Sequence, residues 1–137
     1  MTESVSEFVR EKLGTPPFHH WLRPELVSAD ADAGVVVRLS LRDDFRRHPE
    51  RPEIHGGVIA ALIDIAGHHA MAAKLGIGVP TVDLRIDYLR AASGKELRAE
   101  AVILKLGRKL SVVDIRVLDD AARLVAAGRG TFSSLAG

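Results

Sequence analysis

The sequence predicts an α+β domain, one long helix packed against an antiparallel sheet of five to six strands. Three observations predict it. Residues 56–75 carry apolar side chains at helical spacing and are stopped by Gly76, Gly78 and Pro80. After Pro80, four runs alternate apolar and polar residues and are joined by short polar connections. A fifth alternating run precedes the helix. The order helix, strand, long helix, four strands keeps the helices apart from a contiguous sheet, which is α+β layering.

Each element has its own justification. Val5, Phe8, Val9 and Leu13 recur at helical spacing, and Gly14, Pro16 and Pro17 close a short helix over about 3–13 within an N-terminal segment 1–14. Residues 16–34 read as irregular or briefly helical, with a turn from Asp30 to Gly34. Val35, Val37, Leu39 and Leu41 alternate with Val36, Arg38, Ser40 and Arg42, a strand. Pro49 and Pro52 make the following segment a loop. The later strands are expected at 81–90, with Val82, Leu84, Ile86 and Tyr88 on one face, and at 96–106, 110–118 and 122–133. Three short polar connections in succession predict that these four form a meander. One helix cannot cover both faces of such a sheet, so the other face or a strand edge is wet or meets another subunit. Oligomerisation follows.

Composition narrows the functional classes. The chain has 137 residues, 47% hydrophobic and 27% charged, the make-up of one globular domain over 1–137. Nineteen Lys and Arg against eighteen Asp and Glu leave a net charge of +1, without the basic excess of a nucleic-acid footprint. The absence of cysteine excludes disulfides, thiolate-bound zinc and a cysteine nucleophile. No apolar run is expected to reach the roughly 18 residues of a bilayer span. The N-terminus lacks the basic and apolar regions of a signal peptide, so a cytoplasmic location and no membrane partner are expected.

The long helix has an odd face. On a helical wheel, Gly57, Ala60, Ala61, Gly67, His68 and Met71 cluster within roughly 60° of Asp64. The far side holds Val58, Ile59, Leu62, Ile65, Ala66 and His69, a core seam. A solvated acid would sit among Lys, Glu and Gln; Asp64 sits among Gly, Ala and Met, which marks it as functional. Gly56 and Gly57 allow a sharp entry into the helix. They also expose backbone N–H groups at its positive end, where a substrate oxygen can approach closely. Six histidines raise the question of a metal. His68 and His69 are adjacent and point 100° apart, so they cannot chelate together as an i, i+4 pair does, and no metal is expected. His69 reads as a hydrogen-bonded core histidine, and His55 as a cap or brace of the loop.

"HGGVIAALID" (55–64), followed by "VPTVDLRIDYLRAA" (79–92) and "ILKLGRKLSVVDIRVLDDAARLVAAGRGTF" (103–132), resembles the PaaI-like branch of the hotdog-fold acyl-CoA thioesterases. The resemblance spans about 18–133 and implies a long central helix wrapped by the sheet. It implies hydrolysis of an acyl-CoA thioester with no cofactor, in homodimers with shared active sites that pair further into tetramers. The Gly56 N–H, in the motif begun by His55, would polarise the thioester carbonyl. Asp64 from the other subunit would be nucleophile or general base, and Thr81 would position the attacking water. His68 and Gly57 would contact substrate, with Met71 lining a pocket for the acyl tail. The matching coenzyme A segments hold Tyr88 and Arg90, and Gly107, Arg108 and Lys109. Arg46, Arg47 and Arg51 are weaker phosphate candidates.

Such a site suits a thioester, whose thiol leaving group has a pKa of about 8.5 and needs no strong general acid. One position departs from the family. The usual Asn or Gln six residues before the motif's histidine is Pro49 here, flanked by Glu50 and by His48, which a one-residue insertion would bring to that place. His48 is taken as its replacement. The competing reading is a hotdog domain that binds acyl-CoA without hydrolysing it.

Overall fold

The computed structural model describes residues 4–136. Its helices are α1 (Val5–Leu13), α2 (Pro17–Leu22) and α3 (Gly56–Leu75). Its strands are β1 (Glu25–Asp30), β2 (Gly34–Ser40), β3 (Thr81–Tyr88), β4 (Glu96–Lys105), β5 (Leu110–Leu118) and β6 (Leu124–Ser133). The six strands form one antiparallel sheet in the order β1-β2-β4-β5-β6-β3.

Local chemistry explains the boundaries. Ser4 and Glu7 form a reciprocal capping box that starts α1, while the predicted start near residue 3 lies outside the described residues. Pro17 occupies the first turn of α2, and Arg23 in the left-handed region (φ 62°) ends it. The Asp30 carboxylate accepts from the Asp32 and Ala33 N–H groups, which makes the β1–β2 turn. Gly76 closes α3 with φ 73° and donates to the Ala72 carbonyl.

Alternating side chains of β2, β4, β5 and β6 build the buried face: Val35, Val37, Leu39, Leu97, Ala99, Ala101, Val113, Ile115, Val117, Val125 and Phe132. Helix α3 lies across them and contributes Leu62, Ile63, Ile65, Ala66, Ala70 and Met71. Small residues set how closely it sits. A Cβ on Gly67 would lie 2.7 Å from the Phe132 ring and 3.2 Å from Ile115, and one on Gly128 would lie 2.6 Å from Ile63. The opposite face carries ion pairs such as Arg98–Glu96, Arg129–Asp114 and Arg85–Asp87, so it is a wet face.

Three expectations need correction. The segment read as irregular or briefly helical does hold the brief helix α2, but its residues 25–30 form the edge strand β1, which gains its hydrogen bonds from β2 and shows little apolar alternation of its own. The four later strands are not a simple meander: β3 pairs with β6 rather than β4, and residues 89–95 cross the strand ends. That crossing is tied down where Lys95 and Glu96 donate to Asp120. Helix α3 is also long and apolar enough to span a membrane by length and composition, contrary to expectation. Most of it is buried against the sheet, which is the setting of a core helix.

The close seat of α3 is directly testable. Gly67→Val should lower the unfolding free energy by about 2 kcal/mol or more, read from the urea midpoint, because the added methyls must displace Phe132.

Candidate active site

The start of α3 is held by its neighbours. The Ile54 N–H donates to the Ala92 carbonyl and the His55 N–H to that of Phe45. His55 is the N-cap: its Nδ1 accepts from the Gly57 N–H at 2.8 Å and its carbonyl accepts from Val58. Two first-turn donors are therefore occupied. Among the described residues nothing accepts from the Gly56 N–H, which leaves it free for a ligand. The Tyr88 hydroxyl donates to the Gly56 carbonyl at 2.8 Å and pins this turn to the end of β3. Gly56, Tyr88, Arg90, Arg47, Glu53 and Ile59 line one cleft of about 350 Å³.

Asp64 belongs to a different cleft. It is half-buried, and its Oδ1 accepts from the Thr81 hydroxyl at 2.7 Å, which orients the carboxylate and leaves Oδ2 uncommitted. This second cleft, of about 340 Å³, is lined by Asp64 and Thr81 together with Lys12, Thr15, Pro16, His19, Ile65, His68 and His69. The two clefts share no residue. Eight residues at 1.5 Å rise separate Gly56 from Asp64 by about 12 Å along α3.

The imidazoles have defined tautomers. His68 Nδ1 donates to the Val79 carbonyl at 2.9 Å and His69 Nδ1 to the Ile65 carbonyl at 2.7 Å, since a carbonyl only accepts. Burial, helped by the Lys12 ammonium, lowers the His68 pKa against the opposing pull of the Val79 bond and Asp64. Burial likewise pushes His69 down to about 4. Both rings are thus neutral near pH 7 with an Nε2 lone pair. Among the described residues no group of three or more His, Asp and Glu is placed to hold a metal ion.

Other predicted residues fall elsewhere. Met71 has no exposed surface, packs in the core and lines neither cleft. His48 is exposed in its loop, where its Nδ1 accepts from the Glu50 N–H; within one protomer it lines neither cleft. Gly107 donates to the Ser111 hydroxyl and shapes the β4–β5 hairpin, with Arg108 and Lys109 exposed at its tip. Arg47 is engaged by Glu53 at 3.0 Å. Lys12 and His19, absent from the sequence-based site, enter the Asp64 cleft from α1 and α2. Their only sequence signal was the His19-His20-Trp21 cluster, which nothing in the local pattern linked to Asp64.

A long helix packed across one six-stranded antiparallel sheet is the hotdog architecture. The chain belongs to the thioesterase superfamily, whose family model matches residues 53–126. A crystal structure of a protein from that superfamily superposes with a TM-score of 0.90 at 35% identity, covering 94% of this chain and 97% of the other. The Escherichia coli PaaI protein, from the phenylacetic acid degradation operon, shares the fold at a TM-score of 0.85 and 22% identity, covering 97% and 94%. A Halobacterium salinarum protein, provisionally named an esterase, is 34% identical over 113 residues, 74% of each chain. The medium/long-chain acyl-CoA thioesterase YigI of Escherichia coli is 26% identical over 98 residues, 58% of this chain and 61% of YigI.

The depressed His69 pKa has a consequence for stability. The unfolded chain binds a proton at the ordinary 6.5, whereas the fold resists it until about 4. Stability is therefore complete above the unfolded value and falls as pH drops through that window, by on the order of 1 kcal/mol per pH unit. His69→Gln should flatten the dependence of the urea midpoint on pH in that window.

Proposed function

We propose that the protein hydrolyses acyl-CoA thioesters at sites shared between two subunits. Superfamily membership supports thioester hydrolysis in general, and the acyl-CoA activity in YigI's name supports the coenzyme A ester. One observation carries the shared site. Edge strand β3 places Thr81 at the Asp64 cleft and Tyr88 at the Gly56 cleft. Antiparallel pairing of β3 with its two-fold copy sets the Thr81 end of one strand against the Tyr88 end of the other. The carboxylate of one subunit then meets the free N–H of its partner.

In this mechanism the thioester oxygen accepts from the Gly56 N–H, strengthened by the helix dipole as negative charge develops. Asp64 of the opposite subunit either attacks the carbonyl carbon or takes a proton from the water that does. Thr81 holds the carboxylate in line. The C–S bond breaks, coenzyme A leaves as a thiolate that picks up a proton, and the acid is released with the oxygen of water. Tyr88 and Arg90 border the cleft through which the coenzyme approaches. A dimer is the smallest assembly that completes a site, and the pairing of dimers belongs to the same reading.

Asp64→Asn should lower kcat by about 10²- to 10⁴-fold in a thiol-release assay across aryl and fatty acyl-CoA substrates. Binding of these substrates by wild type without any thiol release would refute hydrolysis. Gly56→Pro removes the N–H at a position where proline suits a helix start, and should also abolish turnover. Co-expressing the two inactive variants should restore activity. Random pairing makes half the dimers mixed, each with one intact site of two, so about a quarter of wild-type activity returns. No recovery in mixed dimers would refute the shared site.

A further inference from the structure

The turn that presents the free Gly56 N–H is held from several sides. The Ile54 N–H reaches the Ala92 carbonyl at 2.8 Å, and the His55 N–H reaches that of Phe45 at 2.7 Å. The Gly57 N–H closes on His55 Nδ1 at 2.8 Å. A further anchor comes from β3, where the Tyr88 hydroxyl donates to the Gly56 carbonyl at 2.8 Å. The Tyr88 ring lies against the glycine itself: a Cβ on Gly56 would be 3.4 Å from the hydroxyl and from two ring carbons. Tyr88 is fixed in turn by β6. It pairs with Ala126, and the N–H groups of Leu89 and Arg90 both donate to the Val125 carbonyl.

We propose that Tyr88 is a positioning residue for the oxyanion donor, its hydroxyl holding the Gly56 turn so that the free N–H points at the thioester oxygen. The inference rests on the hydrolase reading, in which that N–H is the donor. Two adjacent glycines open α3, and glycine has more backbone freedom than any other residue. The first turn of a helix also lacks the intrahelical partners that hold N–H groups further along. A donor in such a place stabilises developing charge only if it is already aimed, so it needs restraint from outside the helix. The other anchors act on residues 54, 55 and 57, and Tyr88 acts on Gly56 through its carbonyl. A carbonyl only accepts, so the Tyr88 proton is committed to the turn rather than offered to a ligand. That separates this role from a contact to the coenzyme. Strand β3 then carries a positioning hydroxyl at each end, Thr81 on the Asp64 carboxylate and Tyr88 on the Gly56 turn.

Tyr88→Phe removes the hydroxyl and keeps the ring. In a thiol-release assay with octanoyl-CoA and phenylacetyl-CoA it should lower kcat by about tenfold and leave KM within about threefold. A second readout needs no turnover. The same esters, isotope-labelled at the carbonyl carbon, are bound to Asp64→Asn and to Asp64→Asn/Tyr88→Phe, and their carbonyl stretch is read by isotope-edited infrared spectroscopy. A well-aimed donor lowers that frequency, so the band should move back toward its value in free solution when the hydroxyl is lost. General damage to the fold would reduce the amount of bound ester and leave its band in place. An unchanged kcat overturns the proposal, and so does a rise in KM alone, which would make Tyr88 a coenzyme contact. A fall in kcat with an unmoved band also overturns it. If wild type releases no thiol, the hydrolase reading fails while the band still decides this one. Absence of any bound ester defeats both.

Discussion

The close seating of α3 on the sheet is the constraint from which the rest follows. Gly67 admits the Phe132 ring and Gly128 admits Ile63, so the helix cannot roll or lift without a clash or a void. With its roll fixed, Asp64 emerges at the rim beside Thr81, and the helix start lands under the Tyr88 hydroxyl. The small-residue face of α3 thus serves two partners. Its Gly67 side belongs to the sheet and its Asp64 side belongs to a cleft.

In the proposed dimer, strand β3 couples that geometry to assembly. It pairs on one side only, with β6, and spans from one cleft to the other. Its outward residues Asp83, Arg85 and Asp87 alternate in charge, which suits pairing with a strand of opposite direction and discourages indiscriminate edge contacts. The two groups that the proposed mechanism uses, the Gly56 N–H and the Asp64 carboxylate, are held about 12 Å apart in one protomer by the rigid length of a helix, which is why that mechanism calls on a second copy.

The core helix, the upstream strand and the last three strands were legible because their burial is periodic, and periodicity is what a sequence displays. Asp64 and Gly56 were legible because they break their surroundings, as an acid among small apolar residues and one of paired glycines at a helix mouth, whereas Thr81 was named only through the family resemblance. The free Gly56 N–H was not legible, since it depends on His55 occupying its neighbour. Met71 misled because a wheel places residues by angle and carries no information on what packs over each turn of the helix. His48 stands where its loop turn uses it, and its part in the chemistry rests on the family comparison alone.

By itself the sequence determined the layering, the length of the core helix and the identity of its odd acid, because local spacing fixes which side chains share a face. Only the tertiary structure decided the strand order, since β3 could have paired with β4 on local grounds and pairs with β6 across a crossing loop. It also decided that Lys12 and His19 share a cleft with Asp64, more than forty residues away along the chain. Pairing and long-range packing depend on which surfaces compete to be buried together, and that competition is resolved only by the whole fold.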